Sequence, residues 1–380
     1  MRIEGAVLRQ SDAPAPYRVS RPLELTAVEL AEPGAGELLV RIEAAGVCHS
    51  DLSVLDGNRP RPLPMLLGHE AAGVVEAAGA GVRDVQTGDH VVLVYVPSCG
   101  SCRFCVSGKP ALCATAMTSN AAGDLVGGGS RLWAGAEEVR HHLGVSAFAT
   151  HAVVDRSSVV VIDREVPFTT AALFGCAMLT GYGAVNHTAG VRPGESAVVF
   201  GLGGVGLAAV MSAAAAGAWP VVAVDPVQEK RKLALEIGAS HACAPDELGL
   251  VQPDIAPDRF DWAFEAVGSS AVFEAAYAAT GRGGGTVSVG LPHPAAVLHL
   301  PALSIVAENR RVLGSYMGTA QPAVDIPAMI TLWRAGRLPV DRMLSAELSL
   351  AEINEAMDEL AAGRAVRQVV RPHRRGDAHS

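Results

Sequence analysis

Residues 197–210 read AVVFGLGGVGLAAV, and a little further on residues 221–226 read VVAVDP. The opening apolar run suits a short buried strand, and the alanine-rich run after the glycines suits a helix. Gly201, Gly203 and Gly206 stand between the two in the pattern GxGxxG, with Gly204 and Val205 completing the loop. Glycines so placed allow a tight turn, close approach of a pyrophosphate to the backbone, and close packing of helix on strand. The positive end of the helix dipole adds to the attraction for phosphate. Asp225 ends the next strand, where a carboxylate binds both hydroxyls of an adenosine ribose and repels a 2′-phosphate. NAD rather than NADP is the expected cofactor. GxGxxG alone is a weak signal, with a packing turn as its bland reading; the flanking strands and the acid separate the two.

Working outward, 262–265 and 286–290 are further short apolar runs, with helical stretches between them. Buried strands alternating with helices mean an α/β fold with a parallel, doubly wound sheet. Upstream the texture differs: 37–44, 72–77 and 90–96 are β segments broken by glycine and proline. After about residue 318 the α/β rhythm ends. An amphipathic helix over 351–362, a closing strand over 366–370 and a polar, disordered tail over 373–380 are expected there. The expected layout is a catalytic domain of residues 1–178, to which 318–380 return, and a nucleotide-binding domain of 179–317.

The bulk numbers agree with that layout. A chain of 380 residues with 49% hydrophobic and 18% charged residues is globular and long enough for two cores. A formal net charge of −9 argues against a nucleic-acid or anionic-membrane binder. Met1 to Pro14 shows no apolar core of a signal peptide. The apolar stretch 207–224 contains Pro220 and reads as a buried helix entering a strand, not a membrane span. A cytoplasmic enzyme is the expectation.

Cys99, Cys102, Cys105 and Cys113 crowd into one glycine-containing loop. Four thiolates so spaced close a tetrahedral zinc site with no open position, as structural zinc requires; disulfides are the bland alternative. Cys48, His69 and Cys176 form a second set, far apart in sequence. A Cys₂His set leaves one position for water or substrate, as catalytic zinc does. Each alone reads as packing, but Asp51 and Glu70 adjoin these residues and are placed to orient them. Gly68, just before His69, lets the backbone approach closely.

With these segments in order, the chain resembles the zinc-containing medium-chain alcohol dehydrogenases from about Val40 to Val370. The resemblance is carried by GVCHSDL (46–52), GHEAAGVV (68–75), CGSCRFC with Cys113, GCAMLTGYGA (175–184), the glycine loop, AVDP (223–226) and INEAMDEL (353–360). It implies a β-rich GroES-like catalytic domain joined to a Rossmann domain, two zinc ions per subunit, and NAD. It implies that Cys48, His69 and Cys176 hold catalytic zinc, with Glu70 near enough to exchange with a ligand. Ser50 corresponds to the hydroxyl that takes the alcohol proton. His49 and Arg367 correspond to pyrophosphate-binding positions, Thr180 to a neighbour of the nicotinamide, Lys230 to a flank of the ribose opposite Asp225, and Tyr95 to an aromatic wall of the substrate pocket. A homodimer or tetramer is implied, with residues 312–317 pairing across a two-fold axis.

Two positions leave the family pattern. Many members carry a histidine three residues after Ser50, ending a proton relay; this chain has Ser53, whose hydroxyl cannot hold a proton near neutral pH. Arg59 stands where many members place an apolar pocket residue, and reads either as a solvated charge or as a reader of an anionic or polar substrate group. The expected reaction is reversible hydride transfer between an alcohol and NAD, with aldehyde or ketone as product. Two rivals are reduction of C=C or iminium bonds on the same scaffold, which the missing relay histidine permits, and a zinc-ribbon interaction module. Ser50 and Glu70 argue against the first, and the acidic charge with the nucleotide fingerprint against the second.

Overall fold

A computed structural model of the chain describes residues 1–374. It divides into two compact units: Met1–Cys176, Gln321–Ile326 and the chain from Leu344 onward form the first, and Ala177–Ala320 with Pro327–Met343 form the second. The segment Pro327–Met343 departs from the expected layout, which returned all of 318–380 to the catalytic domain. Side chains decide its place: Arg337 Nη2 donates to Ala215 O at 3.1 Å, Arg342 pairs with Glu236, and Leu338, Val340 and Met343 are buried. Nothing in the local periodicity of the helix Pro322–Arg334, which runs into this segment, marks which core its apolar face covers.

The first unit is built mainly on antiparallel strands, with parallel pairing of Met65–Leu66 to Glu137–His141 and of Leu344–Ser349 to Arg367–Arg371. One group closes a small barrel from Arg2–Leu8, Leu23–Leu30, Leu132–Ala134, Glu137–His141 and Met65–Leu66. The other is a seven-stranded sheet in the order Val159–Ile162, His90–Leu93, Glu70–Ala78, Glu37–Val47, Arg367–Arg371, Leu344–Ser349, with His151–Asp155 also pairing Glu37–Val47. Valine, leucine and alanine fill these strands, and Leu38, Val40, Ile42, Val75, Val91, Leu93 and Phe148 share one core. The amphipathic helix Ile353–Ala361 adds Ile353, Ala356, Met357 and Leu360 to that core.

The second unit is the doubly wound sheet. Its six parallel strands run His241–Cys243, Val221–Val224, Ala197–Phe200, Phe260–Glu265, Thr280–Ser288, Arg311–Gly314. The order reverses between Ala197–Phe200 and Phe260–Glu265, the switch point where sheets of this kind bind ligands outside the carboxyl ends of their strands. The edge strand stops at Gly314, and Tyr316–Thr319 turns as a 3₁₀ segment, so the strand expected over 312–317 is shorter and begins one residue earlier. Among the described helices, Phe168–Ala189 is long and apolar enough to cross a membrane, but 83% of its apolar window is buried in the protein core. Of the polar tail expected over 373–380, residues 375–380 lie outside the described residues. His373 is placed, its ring meeting that of His151 edge-on at 5.8 Å.

Candidate active site

Sheet register brings the first metal set together. Cys48 follows Glu37–Val47 and caps the helix His49–Leu55, while His69 immediately precedes Glu70–Ala78. Those two strands pair antiparallel with Gly46 opposite Glu70. Gly68 has a φ of +91°, and a Cβ there would stand 2.5 Å from Phe148 N, so the close approach expected of this glycine is real. Cys176 arrives on Phe174–Met178, a π-helical turn of the kind that recurs at functional sites. The ligand atoms of Cys48, His69 and Cys176 lie within 4.8 Å of one another, and all three residues are buried.

Asp51 organises the set. As the third residue of its helix it completes a capping box, and Oδ2 accepts the Cys48 amide at 3.2 Å. Its other oxygen, Oδ1, accepts from Gly68 N at 3.0 Å and faces His69 Nδ1 at 3.1 Å. Burial opposes its ionisation, but the imidazoles of His69 and His142 outweigh that and hold its pKa at about 2. With Nδ1 turned to Asp51, His69 keeps Nε2 for another partner, and Nε2 is buried with none among the described residues.

Glu70 and Arg367 form the far wall. Arg367 Nη1 stands 3.0 Å from Glu70 Oε1, Nη2 donates to Oε2 at 3.4 Å, and Nη1 also donates to Val47 O at 3.2 Å. The resemblance assigned Arg367 to pyrophosphate; here the guanidinium is 3% exposed and engaged with Glu70. Burial pushes the Glu70 carboxyl up to about 7 against the opposing pull of Arg367. Between the sulphurs, the Cys176 thiol donates to Cys48, holding Cys48 well below the usual thiol range and Cys176 well above it. Two buried sulphurs, one acidic, and an unpartnered imidazole nitrogen fit a divalent soft metal with one position left open.

The second metal set is the cysteine loop, whose four sulphurs also lie within 4.8 Å of one another. Zinc–sulphur bonds of about 2.3 Å place tetrahedral sulphurs roughly 3.8 Å apart, so the loop needs only small adjustment. Backbone amides already point at the sulphurs: Cys99 N to Cys113 Sγ at 3.3 Å, Cys102 N to Cys99 Sγ at 3.4 Å, Ala116 N to Cys113 Sγ at 3.5 Å. A hydrogen bond from Thr115 and the amides of Ser101 and Cys102 draw the Cys99 thiol down to about 5.

Around the first set, Ser50 is half-buried and His49 exposed at the start of their helix. Ser53 Oγ donates to His49 O at 2.8 Å, one helical turn back. Tyr95 is buried, its ring edge-on to His69 at 5.5 Å, so it walls the metal ligands themselves. Arg59 is half-buried on the loop after the helix, with its amide donating to Ser53 O at 2.7 Å.

In the second unit the glycine loop has the geometry its sequence requires. Gly201 has a φ of +87°, and a Cβ on Gly206 would stand 1.7 Å from Gly201 O. A Cβ on Gly203 would meet only open space; this residue caps the helix Gly204–Ala215, so the surface above it is free for a ligand. Asp225 Oδ2 accepts Leu202 N and Oδ1 accepts Val227 N, both at 2.8 Å, leaving each oxygen a further lone pair. Lys230 is half-buried on the helix Gln228–Glu236. Thr180 Oγ1 is buried without a partner among the described residues. This donor set fits a dinucleotide.

Known proteins share both halves. An alcohol dehydrogenase GroES-like domain matches residues 34–164 and a zinc-binding dehydrogenase domain matches 204–334. The NDMA-dependent alcohol dehydrogenase of Amycolatopsis methanolica is 37% identical over 97% of this chain and 99% of its own length. A zinc-binding alcohol dehydrogenase domain protein from Burkholderia ambifaria is similar in structure, with a TM-score of 0.92 at 34% identity over 98% of this chain and 100% of that one. The benzyl alcohol dehydrogenase of Acinetobacter calcoaceticus superposes with a TM-score of 0.90 at 31% identity, over 98% of this chain and 99% of that one. The chain belongs to the zinc-containing medium-chain dehydrogenase family, and its activity is that of an alcohol dehydrogenase working with zinc and a nicotinamide cofactor. Reduction of C=C or iminium bonds gains no support from these likenesses.

Three residues of the site escaped the sequence reading. His142 adjoins Asp51 and His69, Gly46 makes room for Glu70, and Arg231 Nη1 donates to Asp225 O at 2.7 Å beneath the ribose-binding acid. His142 and Arg231 belong to no quoted motif, and Gly46 opens GVCHSDL without its role being legible there; sheet register and tight turns bring all three in.

Proposed function

We propose that the chain exchanges hydride between a primary or secondary alcohol and NAD, at a zinc held by Cys48, His69 and Cys176, with a second zinc in the cysteine loop. The observation that supports this most is the buried Cys₂His set whose imidazole Nε2 has no other partner. When bound, zinc supplies Lewis acidity that lowers the pKa of an alcohol oxygen, and NAD supplies the hydride acceptor. The chain's own residues do the rest. Asp51 fixes the His69 ring and the Cys48 amide, so the ligands are held before substrate arrives. Ser50 Oγ takes up the hydroxyl proton of the substrate only while giving its own proton on toward water, because a neutral hydroxyl relays a proton and does not hold it. Ser53 cannot store that proton, because its hydroxyl is neutral and already donates to His49 O. Gly203 and the amides that follow hold the pyrophosphate, and Asp225 holds the ribose.

A carboxylate at 225 supports NAD over NADP through repulsion of a 2′-phosphate. Thiolate clusters support a reducing compartment, the cytoplasm. A homodimer is supported by the edge strand Arg311–Gly314 with Val312 exposed, and by Leu303 and Val306, 78% and 82% exposed, nearby in the chain. The deciding experiment is nicotinamide absorbance with purified enzyme over primary, secondary, aromatic and anionic alcohols, run in parallel with NAD and NADP. Light scattering and metal analysis of the same sample accompany it. Better turnover with NADP, a monomer, or one zinc per chain would each remove the corresponding part of the reading.

A further inference from the structure

His142 lies directly after the strand Glu137–His141, in a turn with an unusual backbone. Leu143, Gly144 and Ser146 have φ of 53°, 68° and 56°, so two residues with side chains sit in the left-handed region. Such conformations persist where the surroundings over-determine them, and they gather at functional sites. Here the turn is tied down from within: His142 N donates to Ser146 Oγ at 2.9 Å, and Ser146 Oγ donates to Leu66 O at 2.8 Å. Leu66 belongs to the short strand ending two residues before Gly68 and three before His69.

The ring held by this turn is 1% exposed. Its Nδ1 stands 3.0 Å from Asp51 Oδ1, the oxygen that already faces His69 Nδ1 and Gly68 N, and lies off the line of a well-aligned hydrogen bond. The His142 ring meets His69 edge-on, centroids 5.3 Å apart and planes at 86°. Tyr95 meets the same imidazole at 5.5 Å and 89°. Two near-perpendicular rings and one carboxylate therefore leave His69 little freedom to swing about its Cβ–Cγ bond. We propose that His142 is a positioning residue for the catalytic metal: it braces Asp51 and the His69 ring so that His69 Nε2 is fixed toward Cys48 and Cys176.

The inference rests on the zinc reading above, and the test separates the two. Asparagine keeps an N–H donor near the position of Nδ1, whereas glutamine keeps size and polarity but carries its donor away from Asp51. Zinc release from the holoenzyme to a chelator is followed with a colorimetric indicator, using the cysteine-loop zinc as internal control. His142→Gln is expected to lose catalytic-site zinc about 10–100-fold faster, as disrupted outer partners of metal ligands generally cause. His142→Asn, which keeps the donor toward Asp51 and loses the ring, should release it at a rate between the two, and the loop zinc should be unaffected in both. With cobalt(II) in the catalytic site, the visible ligand-field bands should move further in His142→Gln than in His142→Asn. Should His142→Gln not accumulate as folded protein, His142→Leu takes its place in the same comparison. Parental release and spectra in the donor-lacking variant, equal damage in both variants, or faster loss of the loop zinc would overturn the proposal. A parent enzyme without catalytic-site zinc would instead remove the metal reading beneath it.

Discussion

The two sulphur clusters of the first unit differ in how their ligands are held. In the cysteine loop the four ligands come from one short stretch, three of them half-buried, and backbone amides approach the sulphurs. In the other cluster the ligands come from three separate elements, all are buried, and a side-chain carboxylate holds them from behind. A loop that carries its own ligands has no fold until something joins them, so its metal contributes to stability. A cluster assembled by an existing sheet and helix has its shape already, and its metal can be given over to chemistry. The contrast predicts opposite failures.

The largest effect should come from Cys176→Ser. Loss of a Lewis acid worth several kcal/mol removes roughly 10³-fold or more of turnover. Circular dichroism should stay parental, and metal analysis should find one zinc fewer. A folded variant with undiminished turnover would end the assignment of the catalytic site. Cys102→Ser should fail the other way, lowering the unfolding midpoint by about 10 °C or more if several kcal/mol of loop stability goes with the metal. Calorimetry reads this directly, and a parental midpoint in a protein short of one zinc would show that the loop metal is not structural.

The supporting groups sharpen the same contrast. Asp51→Asn should cost roughly 10–100-fold in catalytic metal retention or turnover, because it weakens acceptance from Cys48 N, Gly68 N and His69 together. Ser101→Ala and Thr115→Ala, which remove side-chain donors to Cys99, should leave loop zinc release nearly unchanged, since amides still serve the sulphurs. Comparable losses in both experiments would erase the distinction between side-chain and backbone support.

The smallest effect separates metal loss from proton uptake in acid. Burial pushes the His141 imidazole down to about 3, and its Nε2 accepts Arg131 N at 3.1 Å. The folded chain therefore keeps His141 neutral while an unfolded chain protonates it near pH 6.5. Between those values the unfolded state binds the extra proton, so stability falls as pH falls, by about 1.4 kcal/mol per pH unit. His141→Gln keeps an acceptor and cannot titrate. Urea unfolding from pH 6.5 to 5 should then show a slope shallower by that amount, with metal loss common to both proteins. Identical slopes would mean that His141 does not titrate on unfolding.

Legibility in the sequence followed locality. The glycine loop, the strands on either side of it and the four loop cysteines are decided within a few residues, by turn chemistry and ligand spacing, and they stand where expected. The Cys48, His69 and Cys176 set was readable from ligand types, adjoining carboxylates and family resemblance but not from spacing, since its proximity is made by strand register and a π turn. His142 and the pairing of Arg367 with Glu70 depend on contacts between distant segments, which no spacing rule encodes. The same holds for Pro327–Met343, whose helix looks alike whichever core it covers.

Gly46 illustrates what such distant dependence implies. A single methyl at this position would stand 2.1 Å from Glu70 Oε1 and 2.6 Å from Glu70 Cδ. The strand could accept alanine by every local criterion, yet the carboxylate facing Arg367 could not stay. In a survey of random substitutions scored by growth on an alcohol, position 46 should tolerate as little as the cysteines themselves. A reader of those scores, seeing only a glycine near the end of a strand, would have no chemical reason to suspect it.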